Sequence, residues 1–206
     1  MQHGPSSGRK TAPRVVGGRV QKKNNRVRDA GDYYRRRQPE LVIDRQRPGD
    51  GYRHLLTVQD VRDFLALLPD WEDLSDGLEA VVLALGEPGL DGYHQRGVVH
   101  LCAWERGLWR ESSAWYYEAH RDLFERLGVV CEPQPDGSHL CCWTEGAARA
   151  YQLLHVLLHE LGHHHDRITT RSRRRASRGE PYAEAYARKY EALLWDRYWR
   201  PQRPSP

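Results

Sequence analysis

The sequence predicts a compact α+β domain with a small mixed or antiparallel sheet. Three observations carry that prediction. Short strand-like segments fill the middle of the chain, residues that favour turns divide them, and two long helical stretches close it, the first dense in histidine.

Residues 1–38 are rich in Gly, Pro, Ser, Arg and Lys, and only "RVVGGRV" has the pattern of a short strand. This part is expected to be a basic, disordered tail. A single domain is expected over 39–200, with a Pro-rich tail at 201–206. "ELVIDRQ" reads as the strand entering the domain. In "TVQDVRDFLALLPDWEDL", Thr57 is placed to cap a helix whose Val61, Phe64, Leu65 and Leu68 recur at helical spacing until Pro69. The apolar run in "DGLEAVVLALGEPG" fits strand or helix, because periodicity does not separate the two over so short a length. "RGVVHLCAWERGLWRE" alternates and is expected to form a hairpin about Gly107. "SSAWYYEAHRDLFERLG" has the marks of a helix, with Ser112 or Ser113 at its start and Gly128 at its end. "VVCEPQPDGSHLCCW" reads as two strands about a Pro-Asp-Gly turn. "TEGAARAYQLLHVLLHELGHHHDR" reads as one long helix, and "EPYAEAYARKYEALLWDRYW" as a last one with Pro181 in its first turn.

The net charge of +4 conceals an asymmetry. Residues 1–37 hold eleven Lys and Arg against two Asp, and "RITTRSRRRASR" (167–178) holds six Arg and no acid. Fifteen basic residues then face twenty-six acidic ones in the remainder. The two basic segments are candidates for contact with nucleic acid or an acidic substrate, against the plainer reading of a solubilising tail and an exposed loop. No apolar run approaches the roughly 18 residues that a membrane span needs. The N-terminus also lacks the apolar stretch of a secretory signal. No membrane partner and a cytoplasmic location are therefore expected. Cys102, Cys131, Cys141 and Cys142 contain no CxxC pair, so a cysteine-based zinc module is not expected. Reduced thiols are the expected state, with a Cys131–Cys141 bridge across the hairpin as the alternative.

The densest chemistry lies in "LLHELGHHHDR", within which His159-Glu160-Leu161-Gly162-His163 is an HExxH motif. Residues four apart share a helix face one turn apart, so His159 and His163 can bind one Zn²⁺. Glu160 is rotated about 100° from His159. It is placed to accept a proton from a zinc-bound water and pass it to a leaving amine. His164 and His165 point away from that face and are expected at the surface or in support of the ligands. His155, four before His159, continues the face and is expected to be packed or hydrogen-bonded near the site. A catalytic zinc takes a third protein ligand. The HExxHxxGxxH arrangement of the metzincins fails here, because Asp166 and Thr169 stand where Gly and His would be needed.

The downstream "EPYAEAY" offers Glu180 and Glu184 instead. At these residues the chain resembles the gluzincins, and most closely the lethal-factor-type peptidase domain, in which HExxHxxD is followed by E-x-x-A-E-A-aromatic. "HELGHHHD" and "EPYAEAY" match, including Asp166, Glu184 and Tyr186; the resemblance covers residues 159–186. It implies a zincin-like fold whose C-terminal helix carries the third ligand. The implied ligands are His159, His163 and Glu180, with Glu160 as general base and Glu184 as a carboxylate that orients a ligand histidine. It departs at Arg173, where the family has a tyrosine that stabilises the transition state. The oxyanion donor would then be Tyr182, Arg173 or another arginine of the loop. Spacing alone leaves the roles of Glu180 and Glu184 interchangeable, since they share one helix face. It also leaves Asp166 either bonded to an imidazole or capping the loop. In zincins a strand bordering the cleft precedes the active-site helix and pairs with extended substrate; "SHLCCW" is the candidate.

These features predict a zinc-dependent metallopeptidase acting on a peptide or protein substrate. The competing reading is a nucleic-acid-associated or regulatory zinc protein that uses its basic tail and Arg-rich loop.

Overall fold

The structure is a computed structural model that describes residues 15–16, 19–20, 32–170 and 178–199. The chain divides into two units, 1–30 and 31–206. In the first, β1 (Val15–Val16) and β2 (Arg19–Val20) pair antiparallel, which places strands within "RVVGGRV". The rest of the expected tail up to residue 31, and the tail 201–206, lie outside the described residues.

The second unit begins before residue 39. On helix α1 (Asp32–Arg35), Tyr33 is buried against Ala80, Val82, Ala84 and Val98. The Tyr34 hydroxyl lies 2.8 Å from His100 Nε2. Composition placed these tyrosines in the tail because the arginines around them dominate the local count.

Strands β3 (Val42–Arg45), β5 (Ala80–Ala84) and β7 (Val98–Cys102) run parallel, and β6 (Gly92–Gln95) closes the sheet antiparallel to β7 in the order β3-β5-β7-β6. Every residue of β5 and β7 is buried. Burial on both faces removes the alternation that marks a half-exposed strand, which is why "AVVLA" was ambiguous. Between β3 and β5 run β4 (Tyr52–Arg53), helix α2 (Val58–Leu65) and helix α3 (Trp71–Leu74). Helix α2 has the expected Thr57 cap, completed by Asp60 as a capping box. Arg96 and Gly97, with φ of 52° and 84°, form the tight turn between β6 and β7.

The hairpin expected about Gly107 does not form. Strand β7 takes β5 and β6 as neighbours, β8 (Trp104–Glu105) pairs with β4, and β9 (Trp109–Ser112) joins a second sheet. Strand β7 is already flanked by β6, across the Arg96-Gly97 turn, and by the more distant β5, so no edge is left for a hairpin partner after it. The second sheet is antiparallel, in the order β10 (Val130–Pro133), β11 (His139–Cys142), β9. The strands about the Pro-Asp-Gly turn thus form as expected. Cys131 and Cys141 face each other across β10 and β11 and form a disulfide, so these two thiols are not free as expected.

Helix α4 (Ala114–Leu127) is capped by Ser113 and ended by Gly128 at φ 74°. Thr144 caps the long helix, which comprises α5 (Glu145–Tyr151), a π-helical segment (Gln152–Leu157) and α6 (Leu158–Thr169). Leu153, Leu154, Leu157, Leu158 and Leu161 bury fully along it and form the centre of the core. Helix α7 (Glu180–Tyr198) packs along α6, whose other side faces β6. Among the described residues no helix is long and apolar enough to cross a membrane.

Candidate metal centre

The α-helical phase places His159 and His163 one turn apart on α6, with ring centroids 4.9 Å apart. Glu180, the first residue of α7, meets both. Its Oε2 lies 3.0 Å from His159 Nε2 and its Oε1 lies 3.3 Å from His163 Nε2. Two imidazole nitrogens and a carboxylate, all within 4.8 Å of one another, form a donor set suited to Zn²⁺. The Glu180 side chain is 78% exposed, so the set is open on one side.

Two local features bring α7 to this position. Gly162, inside the motif, lies against Ala183: a Cβ there would stand 2.8 Å from Ala183 Cα and 3.0 Å from its carbonyl oxygen. Only hydrogen fits, so the helices approach closely beside the point where His159, His163 and Glu180 converge. Asp166, 0% exposed, accepts hydrogen bonds from the backbone N–H of Arg178 and Gly179 at 2.8 and 3.1 Å and from Arg178 Nε at 2.7 Å. It therefore fastens the start of α7 to the end of α6 and bonds no ligand imidazole. Burial raises the Asp166 pKa, but these donors outweigh it and hold the carboxyl below its ordinary value.

Glu184, one turn after Glu180, faces the other nitrogen of His159, with Oε2 3.5 Å from Nδ1. Glu180 thus faces the Nε2 atoms of both histidines, whereas Glu184 lies on the Nδ1 side of His159. Burial raises the Glu184 pKa, and the stronger opposing effect of His120, His159, His155 and Arg188 leaves it far below the carboxylate range. Burial also lowers the His159 pKa, but the carboxylates of Glu184, Glu160 and Glu180 outweigh it and raise it overall. At His163 burial prevails and the pKa falls.

Glu160 is 6% exposed and its carboxyl is pushed up to about 7, first by burial and then by the charges of Glu180 and Asp91, against the opposing pull of His159. Strand β6 presses on it from the opposite side. A Cβ on Gly92 would stand 2.7 Å from the His100 carbonyl oxygen, 2.8 Å from Val156 Cγ1 and 3.3 Å from Glu160 Cγ. A cavity of about 960 Å³ opens over these groups, with β6, the long helix, α4 and the start of α7 as walls. The far wall is a polar chain in which the Tyr116 and Tyr151 hydroxyls bond each other, Tyr151 donates to Asp91 Oδ2 at 3.0 Å, and Asp91 pairs with Arg110.

Several expectations change. The strand beside the cleft is β6, an edge strand, whereas "SHLCCW" forms β11, paired on both sides and without a free edge. Tyr182 does not line the cavity: its hydroxyl lies 2.6 Å from His165 Nδ1 and its ring under the Arg178 guanidinium. Arg173 and its neighbours through residue 177 lie outside the described residues. His164 is not at the surface; it is fully buried, with Nε2 3.0 Å from the Asp76 carbonyl oxygen. Asp91, Gly92, Tyr116 and His120 were not singled out from the sequence, because none belongs to a local pattern with the motif. Gly92 alone left a signal, a glycine at the start of a strand.

Comparison of the chain with protein-family models, with curated proteins and with solved structures gave no match.

Proposed function

We propose that this chain is a zinc-dependent metallopeptidase with a zincin-like domain. The observation that carries the reading is the convergence of His159 Nε2 and His163 Nε2 on the two oxygens of Glu180, with the buried Glu160 carboxyl in the same cavity. His159, His163 and Glu180 would hold the ion. Zinc in that set supplies a Lewis acid that makes water a nucleophile near neutral pH and polarises a carbonyl. Glu160 accepts the proton of the attacking water and delivers it to the leaving amine, a task favoured by a carboxyl poised near neutrality. Glu184, whose Oε2 lies 3.5 Å from His159 Nδ1, would orient that ring. The free edge of β6 offers backbone groups to an extended peptide, so that main-chain pairing would lay the scissile bond beside Glu160.

The nucleic-acid reading retains only the charge of segments that lie largely outside the described residues. The cytoplasmic placement stands against the Cys131–Cys141 bridge, which suits an oxidising compartment.

The test is metal analysis beside cleavage of a peptide library. Wild type is expected to hold one tight zinc and cleave, Glu160→Gln to keep the zinc and lose cleavage, and Glu180→Gln to lose most of the zinc. Failure of the wild type to bind added zinc through His159 and His163 would defeat the proposal.

A further inference from the structure

We infer a second divalent-cation site in the same cavity, built from His120, His155 and Glu184. It goes beyond the hydrolytic reading and stands whether or not the first site cleaves peptides.

His120 is on α4 and 8% exposed. Its Nδ1 is 2.9 Å from the Tyr116 carbonyl oxygen, which can only accept, so in the neutral imidazole Nδ1 carries the proton and Nε2 the lone pair. That Nε2 is buried without a hydrogen-bond partner and stands 3.7 Å from Glu184 Oε1, beyond hydrogen-bonding distance. A buried imidazole lone pair therefore faces a carboxylate oxygen, an arrangement that is unfavourable until something positive lies between them. An imidazole whose Nδ1–H is bound to a carbonyl, with Nε2 free, is also how metal-binding histidines are commonly fixed.

His155 comes from the π-helical segment and sends Nε2 to 3.9 Å from Glu184 Oε2. The His120 and His155 rings meet edge to face, with centroids 4.6 Å apart. The ligand atoms of all three residues lie within 4.8 Å of one another. Arg188 Nε bonds Glu184 Oε1 at 2.8 Å, which leaves Oε2 and a further lone pair for an ion. Two imidazoles and one carboxylate favour a borderline ion such as Zn²⁺ over Ca²⁺ or Mg²⁺, which require mostly oxygen.

The two sites are linked through Glu184, which also faces His159 Nδ1. A cation bound by Glu184 draws charge away from that imidazole and adds a like charge nearby. The sites should therefore oppose each other, the second equivalent binding at least about 10-fold more weakly than the first.

The test uses the full chain, stripped with chelator, verified as folded by circular dichroism and titrated with Zn²⁺ by calorimetry. Wild type is expected to take one equivalent more than His120→Asn and one more than His163→Asn, the two variants losing different equivalents. Equal stoichiometry in wild type and His120→Asn would overturn the second site, while loss of an equivalent in His163→Asn would still support the first-site reading. If His163→Asn loses nothing while His120→Asn loses one, the second site stands and the first reading fails. Should His120→Asn not fold, ring ¹⁵N shifts of wild type decide. A large change at His120 Nε2 on adding the second equivalent supports the site, and an unchanged ring overturns it.

Discussion

Replacing Glu160 with Gln removes a buried charge while keeping the shape of the side chain, and the structure predicts opposite effects on activity and on stability. The folded carboxyl titrates at about 7 against an ordinary value near 4.5, chiefly because it is buried. A raised folded pKa means that the neutral form is favoured in the fold. The associated stability is fully present below pH 4.5 and is lost as pH rises through 7. At about 1.36 kcal/mol per pKa unit, ionised Glu160 costs the metal-free protein about 3 kcal/mol above pH 7. At pH 5 less than about 1 kcal/mol of that cost has developed. Metal-free Glu160→Gln should therefore gain about 2 kcal/mol on wild type between pH 5 and pH 8.5, read from urea unfolding at both values. Bound zinc, a cation beside the carboxylate, should shrink the gain. Cleavage should fall by about 10²–10⁴-fold in the same variant. A stability difference that is the same at both pH values would refute the account of Glu160 as a carboxyl held near neutrality by burial.

Gly162→Ala drives a methyl group into the Ala183 backbone. Overpacking of about 1–3 kcal/mol should exceed the gain of about 1 kcal/mol in helix propensity, so both unfolding free energy and zinc affinity by chelator competition should fall. Asp166→Ala strands two backbone N–H groups and Arg178 at the start of α7. It should cost about 3 kcal/mol and weaken zinc without touching a ligand, as unfolding and metal analysis would show. Thiol labelling without reductant should modify exposed Cys142 in the folded protein and buried Cys102 only on unfolding, with the remaining two appearing after reduction. Replacing Cys131 and Cys141 by Ser should remove about 2–3 kcal/mol from the oxidised protein; four free thiols in the unreduced, unfolded chain would contradict the bridge.

Much of the architecture was legible in the sequence because it is written in local terms. Thr57, Ser113 and Thr144 cap helices through bonds to the residue three positions on, and Gly128 ends one by its own backbone conformation. The pairing of His159 with His163 likewise follows from the helical repeat alone, as does the separate direction of Glu160. The hairpin about Gly107 misled for the converse reason. Its strands have the right local pattern, yet their partners lie in other parts of the chain.

The sequence by itself therefore determined the α+β character, the helix that carries the motif, and which two histidines stand one turn apart on one face of it. Only the tertiary structure sets Glu180, and not Glu184, against the Nε2 atoms of both histidines. Residues four apart on one helix have nearly the same phase, so the choice rests on how far along α6 the second helix docks. Gly162 against Ala183 sets that level, and Asp166 holding Arg178 and Gly179 secures it. The tertiary structure alone also brought β6 against Glu160 and His120 against Glu184. These are meetings between residues more than sixty apart, which no spacing along the chain encodes.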